Sequence, residues 1–270
     1  MDDVAVARFL SLPFESAFLF IAVNMLRSFG LTFGFVAFAW GLGQAVVTRA
    51  AISIALSLPI MLLAVPDFRD LRAETPQIEI PLLLIKEFAV GYGLGLLAAL
   101  PFLALQYAGA VTDSYRGDNN NGIPDPVGGQ LPAFGLLFML IGLYAFFASG
   151  GLWQLTAGLY HSYELWPVSS ALPNFAPNAW RIFADLVDGL MRDALLIAAP
   201  LLAILIATDF MLAVASRLSA KFQIYQNVFT AKNLVAVLSL PLMALYIERV
   251  SNGRIVQAFD ALPILQGILR

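Results

Sequence analysis

The 270-residue chain has no cysteine and a single histidine, His161. Disulfides, thiol chemistry and Cys-ligated zinc are thereby excluded, and His161 alone is too little for a His-rich metal site. Charge is also scarce. Asp, Glu, Lys and Arg make up 12% of the residues, about half the ~25% usual in soluble domains. The net charge of −3 gives no electrostatic support for a nucleic-acid partner. What is present is apolar: 60% hydrophobic residues and a mean hydropathy of +0.82. A soluble domain of this size cannot hide that much apolar surface, so the composition reads as an all-α integral membrane-type protein. The start, Met1-Asp2-Asp3, is acidic, and Pro13 and Glu15 interrupt the apolar sequence that follows. A cleaved secretory signal is not expected from such a start.

Six apolar helical segments are expected, at residues 16–40, 50–65, 82–111, 131–160, 180–220 and 234–247. A charged linker at 67–79, an aromatic, proline-rich connector at 162–177 and a polar stretch at 222–233 separate some of them. A standard span needs ~20 residues at 1.5 Å rise. The second and sixth segments are short. The fifth, as one helix, would run to ~60 Å by the same rise. Pro101 predicts a bend in the third segment, and Pro200 lies inside the fifth. Unequal helices, several broken or hairpin-like, imply packing mostly against protein. Arg27, Lys86, Glu87, Asp188, Arg192, Asp193 and Asp209 lie within or at the edges of apolar sequence. Each would cost at least ~2.5–3.5 kcal/mol against lipid, so cavities or partners are expected. Some of them could equally mark helix ends where long side chains snorkel.

Three local patterns carry candidate roles. Glu87, Gly91 and Gly95 are spaced four apart and share a helix face with Ala99. Small residues at that spacing let a second helix approach closely. That helix could belong to the same chain or to a neighbouring subunit. Asp185, Asp188 and Arg192 sit at i, i+3 and i+7, which allows an Asp188–Arg192 pair; no acidic or His chain completes a proton path. His161 lacks the nucleophile elbow that a Ser-His hydrolase needs, and reads as a polar residue at a helix end.

The third pattern is SYRGDNNNGIPDP, residues 114–126, a polar knot between two strongly apolar segments. Aligned as a calcium loop on Gly122, it offers Asn119, Asn121 and Asp125, but Gly117 and Gly128 stand where carboxylates belong. Ca²⁺ takes 6–8 oxygens with several carboxylates, so the ligand count falls short. RGD at 116–118 is a three-letter match. As a turn, Asn121-Gly122 favours positive φ, and Pro124 and Pro126 forbid helix continuation.

The order of motifs along the chain resembles the SctT/FliR family, the T component of the type III secretion export apparatus. The resemblance is carried by Arg27, RAAISIALSLP (49–59), KEFAVGYGLG (86–95), AGAVTDSYRG (108–117), Asp125-Pro126, Gly150-Gly151, SYELWPV (162–168), APLLAILIATDFMLAVASRL (199–218) and QIYQNVFTAKN (223–233). Asp113-x-x-Arg116-Gly117 followed by Asp125-Pro126 looks like the SctT branch more than the flagellar one. Two stretches depart from the family pattern: DNNNGIP between Arg-Gly and Asp-Pro, and VFTAK, which lacks a proline before Lys232.

The resemblance implies a non-enzymatic conduit without cofactors. It implies assembly with SctR/FliP-type, SctS/FliQ-type and SctU/FlhB-type subunits into a helical export gate for unfolded secreted proteins. The gate would sit in the bacterial inner membrane, within the basal body. It also implies a single gate subunit with an R-type-like half, 1–175, and an S-type-like half, 176–270. The knot then becomes a pore-side plug loop: Arg116, Gly117, Asp118, Asn119, Asn120, Asn121, Gly122, Asp125 and Pro126. Polar backbone at membrane depth is tolerated only where protein or a cavity surrounds it. Glu87, Gly91, Gly95 and Lys232 become candidates for subunit packing. A small-molecule secondary transporter would also show broken helices and buried charge, but should carry internal repeats with matched interruptions; no convincing repeat surrounds Pro101 and Pro200.

Overall fold

A computed structural model describes residues 14–43, 45–74, 80–118, 122–124, 130–168, 179–218 and 228–258. The described residues form eight helices and one two-residue ladder. In chain order these are α1 (Phe14–Gly34), α2 (Val36–Leu42), α3 (Val46–Glu74), α4 (Ile80–Arg116), β1 (Ile123–Pro124), β2 (Gln130–Leu131), α5 (Ala133–Ala148), α6 (Gly151–Leu165), α7 (Ala179–Leu218) and α8 (Val228–Ala258).

Among the described residues, four helices are long and apolar enough to cross a membrane: Ala17–Gly34, Ile80–Arg116, Trp180–Leu218 and Val228–Val250. The bent pair α5–α6 makes a fifth if taken as one span, and Val46–Met61 is apolar but short. All six expected apolar segments are therefore helical, with different boundaries. The prolines do not break them: Pro101 lies inside α4 and Pro200 inside α7, and α7 runs through 40 residues. A proline removes one backbone hydrogen bond, and a long apolar helix retains the rest. The breaks fall instead at Phe35, whose backbone is extended (φ −87°, ψ 121°), and at Gly150, at φ +77°. The expected charged linker is helical as far as Glu74, because DFRDLRAE consists mostly of good helix formers.

The chain divides into two compact units, and neither is contiguous in sequence. One takes in the described residues up to Ala99 together with Leu152–Ile182; the other comprises Leu100–Gly151 and Phe183–Ala258.

In the first unit, α1 packs on the N-terminal part of α4 through glycines on both helices. A Cβ at Gly91 would lie 1.8 Å from the Arg27 carbonyl oxygen, and one at Gly95 would lie 2.7 Å from that of Leu31. Reciprocally, a Cβ at Gly30 would meet the Phe88 carbonyl oxygen at 2.3 Å, and one at Gly34 that of Tyr92 at 2.4 Å. Contact numbers rise together along the two helices, so they run parallel. Phe29, Phe33, Phe88 and Tyr92 form an aromatic row beside this crossing. Arg49, buried, ties α3 to the end of α1 and to α2. Its guanidinium donates to the Thr32 carbonyl oxygen, donates to that of Gly43, and lies over the Phe33 ring.

In the second unit, the C-terminal part of α4 packs on α5. A Cβ at Gly109 would meet the Phe134 carbonyl oxygen at 2.3 Å, and one at Gly142 the Leu105 side chain at 2.2 Å; Phe102 packs edge-on against Phe146. Here one number rises as the other falls, so α4 and α5 form an antiparallel hairpin. The polar knot lies at its tip.

Candidate functional site

Two buried polar junctions gather the motifs that stood out in the sequence. The first lies in the unit that holds α1, α3 and α6. The side chains of Arg27 and Glu87 are fully buried. The guanidinium grips the carboxylate with two bonds, Nε to Oε2 at 2.7 Å and Nη2 to Oε1 at 3.1 Å. This fork suits arginine, whose planar donors match a carboxylate. The remaining donors reach Ser162 Oγ at 3.2 Å and the Trp166 carbonyl oxygen at 2.8 Å, and the Tyr163 ring covers the guanidinium at 4.0 Å. Lys86 completes the group. Its ammonium pairs with Glu87 Oε1 at 2.8 Å and donates to the carbonyl oxygens of Pro167 (3.2 Å) and Val168 (3.0 Å). Two cations thus hold one carboxylate and the three carbonyls just beyond α6. A helix C-terminus carries partial negative charge, which cations there offset. Arg27, KEF and SYELWPV lie far apart in sequence and meet here.

The glycine row had two open readings, and the geometry gives it to packing within the chain. The backbone of α1 lies against the face of Gly91 and Gly95, and Glu87 pairs with Arg27 and Lys86. The matching row on α1 is Gly30 and Gly34. Its signal is a four-residue spacing of glycines in an apolar helix, the same signal that pointed to Gly91 and Gly95.

The second junction lies at the tip of the α4–α5 hairpin. Arg116 is buried. Its guanidinium bonds Asp113 Oδ1 at 2.7–2.9 Å, Asp118 Oδ2 at 2.7 Å and Asn233 Oδ1 at 2.9 Å, and lies 4.3 Å from the Phe134 ring centroid. The other Asp113 oxygen accepts the Phe134 N–H at 2.8 Å. Phe134 is in the first turn of α5, whose N-cap residue, Pro132, has no side-chain donor or acceptor to offer. Asp113 therefore caps α5 from the end of α4, a role usually filled by the N-cap residue itself.

Gly117 closes α4. Its N–H bonds the Ser114 carbonyl oxygen at 3.2 Å, while the Asp118 N–H bonds that of Asp113 at 3.0 Å. With φ +90° at Gly117, this is a Schellman helix end. Among the described residues of the knot the positive φ lies at Gly117, not at Gly122. Gly122 is small for another reason: a Cβ there would sit 2.4 Å from the Cβ of Gln130, across the ladder that pairs Ile123 with Leu131 and Pro124 with Gln130. Gly117→Ala is expected to destabilise by about 1–2 kcal/mol, the cost of a left-handed L-residue, because only the Phe229 ring lies near that Cβ, at 3.6 Å. A lower melting temperature of the detergent-solubilised protein, with unchanged helix content by circular dichroism, checks this. Asn119, Asn120, Asn121, Asp125 and Pro126 lie outside the described residues.

Lys232 sits beside this junction. It pairs with Asp209 at 2.8 Å and lies over the Tyr115 ring, and Asp209 also accepts from Tyr115 Oη at 2.9 Å. Asp209 and Lys232, from two of the quoted motifs, are thus engaged within the chain. Asp185, Asp188 and Arg192 are exposed on α7, and no ion pair joins Asp188 to Arg192. His161 is exposed at the end of α6, 3.1 Å from Glu164. None of these groups forms a nucleophile–base pair, and the described residues hold no cluster of three or more metal-ligating side chains. The arrangement anchors backbone.

Several characterised proteins resemble the chain. It is 28% identical over 203 residues to Yop proteins translocation protein T of Yersinia pestis, covering 73% of this chain and 78% of that protein. Surface presentation of antigens protein SpaR of Salmonella typhimurium is 28% identical over 180 residues, 65% of this chain and 64% of that protein. Flagellar biosynthetic protein FliR of Bacillus subtilis is 29% identical over 146 residues, 53% of this chain and 56% of that protein. Residues 18–258, which include both junctions, match the family described as Bacterial export proteins, family 1, and the chain belongs to that family, the SctT/FliR family.

Proposed function

We propose that the chain is a structural, non-enzymatic subunit of a type III secretion export gate, and that the loop at the tip of the α4–α5 hairpin obstructs its conduit. The observation that carries this reading is the family match across 18–258, together with relatives named for protein translocation. That match supports a protein conduit over a small-molecule transporter. The site is the bacterial inner membrane, within the basal body of the secretion apparatus. The partners are SctR/FliP-type and SctS/FliQ-type subunits, with an SctU/FlhB-type subunit beside them, and unfolded proteins are the cargo. In kinship, 1–175 is the R-type-like part and 176–270 the S-type-like part.

Exposed apolar side chains support assembly with other subunits. Ile206, Phe210, Val214 and Leu218 form an exposed row at four-residue spacing on α7, and Leu234, Leu238 and Leu242 form another on α8. Exposed Asp185, Asp188 and Arg192 share α7 with the first row, and charged groups are costly against lipid. A protein neighbour meets both demands.

The loop reading rests on how its base is held. Arg116 and Asp118 secure one end, and the β1–β2 ladder with the capped start of α5 secures the other. A loop fixed at both ends can obstruct a channel while its polar middle avoids adhering to extended apolar cargo. Deleting Asn119–Asn121 in the assembled apparatus is expected to let small ions or dye cross the membrane while secretion persists, because the loop obstructs but supplies no driving force. A membrane as tight as the parent's would overturn the loop's role. Failure of the chain to co-purify with the other gate subunits would overturn the assignment to the gate.

A further inference from the structure

We propose that the seam between α1 and α3 holds a buried water molecule, bound by Asn24 Oδ1 and Ser28 Oγ of α1 and by a serine oxygen of α3.

The register of the two helices follows from contacts at either end of the seam. The Arg49 guanidinium donates to the Thr32 carbonyl oxygen, and Phe20 packs with Met61. Thr32 and Phe20 are as far apart in sequence as Met61 and Arg49, and one number rises as the other falls. The helices are therefore antiparallel, and the same register sets Ser28 opposite Ser53 and Asn24 opposite Ser57. All four residues are buried, at 0–1% exposure.

The polar groups of the seam bond back to their own helices. Asn24 Nδ2 donates to the Phe20 carbonyl oxygen at 2.9 Å, Ser53 Oγ to that of Arg49 at 2.7 Å and Ser57 Oγ to that of Ile54 at 3.1 Å. Two atoms are left over. Asn24 Oδ1 and Ser28 Oγ have no hydrogen-bond partner among the described residues. A serine inside a helix can donate to the carbonyl four residues back. For Ser28 that carbonyl belongs to Asn24, and it accepts from Tyr163 Oη at 3.0 Å instead. Burying a hydroxyl and an amide oxygen without partners is costly.

One small ligand answers both. Ser28 has a proton to donate and Asn24 Oδ1 has lone pairs to fill, so the ligand must accept as well as donate. Water does both; a metal ion or an ammonium cannot accept. Side chains four apart on a helix have Cβ atoms ~5–6 Å apart, a span that one water bridges with two bonds of ~2.8 Å. Its second hydrogen goes to the oxygen of Ser53 or Ser57, which keeps free lone pairs after donating its own proton. Three bonds are the usual number for a buried water. The water thus ties α1 to α3 at the turn whose carbonyl receives Tyr163, the ring that covers Arg27.

Thermal unfolding of the complex co-purified with its partner subunits gives a result whose sign decides. With the water bound, Ser28→Ala removes one of its bonds and should lower the melting temperature by about 2–4 °C. A hydroxyl that is merely orphaned gives the opposite result, because alanine removes the unsatisfied group. A rise, or no change, overturns the proposal. Asn24→Leu should also lower the melting temperature. The double variant should lose less than the two single losses added together, because both residues act through one ligand. Additive losses overturn the shared site. Should Asn24→Leu fail to assemble, a density map of the parent complex that resolves ordered waters supplies the second result. A peak between Asn24 and Ser28 supports the site. A seam without a peak, closed by direct bonding of Ser53 or Ser57 to α1, overturns it.

Discussion

Glu87→Ala is expected to destabilise the protein by about 3–5 kcal/mol, the usual cost of breaking a buried ion pair from one side. The fully buried Arg27 guanidinium would lose both bonds of its fork, and Lys86 would lose its pairing with Glu87. Two buried cations would then lie close together without the carboxylate between them. Glu87→Gln should cost less, because an amide oxygen still accepts one of these bonds. Replacing both members, as Arg27→Met with Glu87→Met, should cost less than Glu87→Ala, because the pair leaves no uncompensated guanidinium and apolar side chains fill the space. Thermal unfolding of the complex co-purified with its partner subunits measures all three. If Glu87→Ala melts within a degree or two of the parent, the junction does not hold the first unit together. Since the junction binds the carbonyls of Trp166, Pro167 and Val168, the Glu87→Ala protein should also be cleaved faster by protease after residue 168.

Gly91→Ala is expected to abolish folding of the α1–α4 pair, although the change adds one methyl group. That methyl would lie 1.8 Å from the Arg27 carbonyl oxygen and 2.7 Å from its carbon. Backbone, unlike a flexible side chain, cannot move aside without separating the helices. Overpacking costs about 1–3 kcal/mol in an adaptable core and more where nothing can give. Separation would also part Arg27 from Glu87, so the loss should exceed that of an ordinary core substitution. Gly93→Ala is the internal control: it lies in the same helix with nothing within 4 Å of its Cβ. It should be neutral or stabilising by about 0.5–1 kcal/mol, the helix penalty of glycine. Yield of folded protein after membrane extraction distinguishes them. Equal recovery of Gly91→Ala and Gly93→Ala would show that α1 does not occupy this face.

Much of the architecture was legible because it depends on local composition. Six apolar segments could be read from hydropathy, and each is helical. The glycine spacing on α4 gave the face of close approach, since residues four apart share one side of any α-helix. It could not say which helix approaches, because glycine spacing describes one surface and carries nothing about its partner. Had Gly30 and Gly34 been weighed with Gly91 and Gly95, two rows of the same spacing would have suggested a pair within the chain.

Helix ends were read less well. Pro101 and Pro200 sit inside continuous helices, because a helix packed along its length can lose one hydrogen bond and persist. The end at Arg116 is set by Gly117, while the sequence drew attention to Asn121-Gly122, a stronger turn dipeptide in isolation.

Sequence alone determined that this chain belongs in a membrane, that it has no thiol or His-rich metal chemistry, and that its motifs follow the order of an export-apparatus family. Those properties depend on composition and order, which folding does not alter. Only the tertiary structure decided what the charged residues do. Arg27 and Glu87 are 60 residues apart, and Arg116 and Asn233 are 117 apart. A lone charge in an apolar segment demands a partner because burial without one is too costly, but the demand is the same for every opposite charge in the chain. Helix packing alone selects among them.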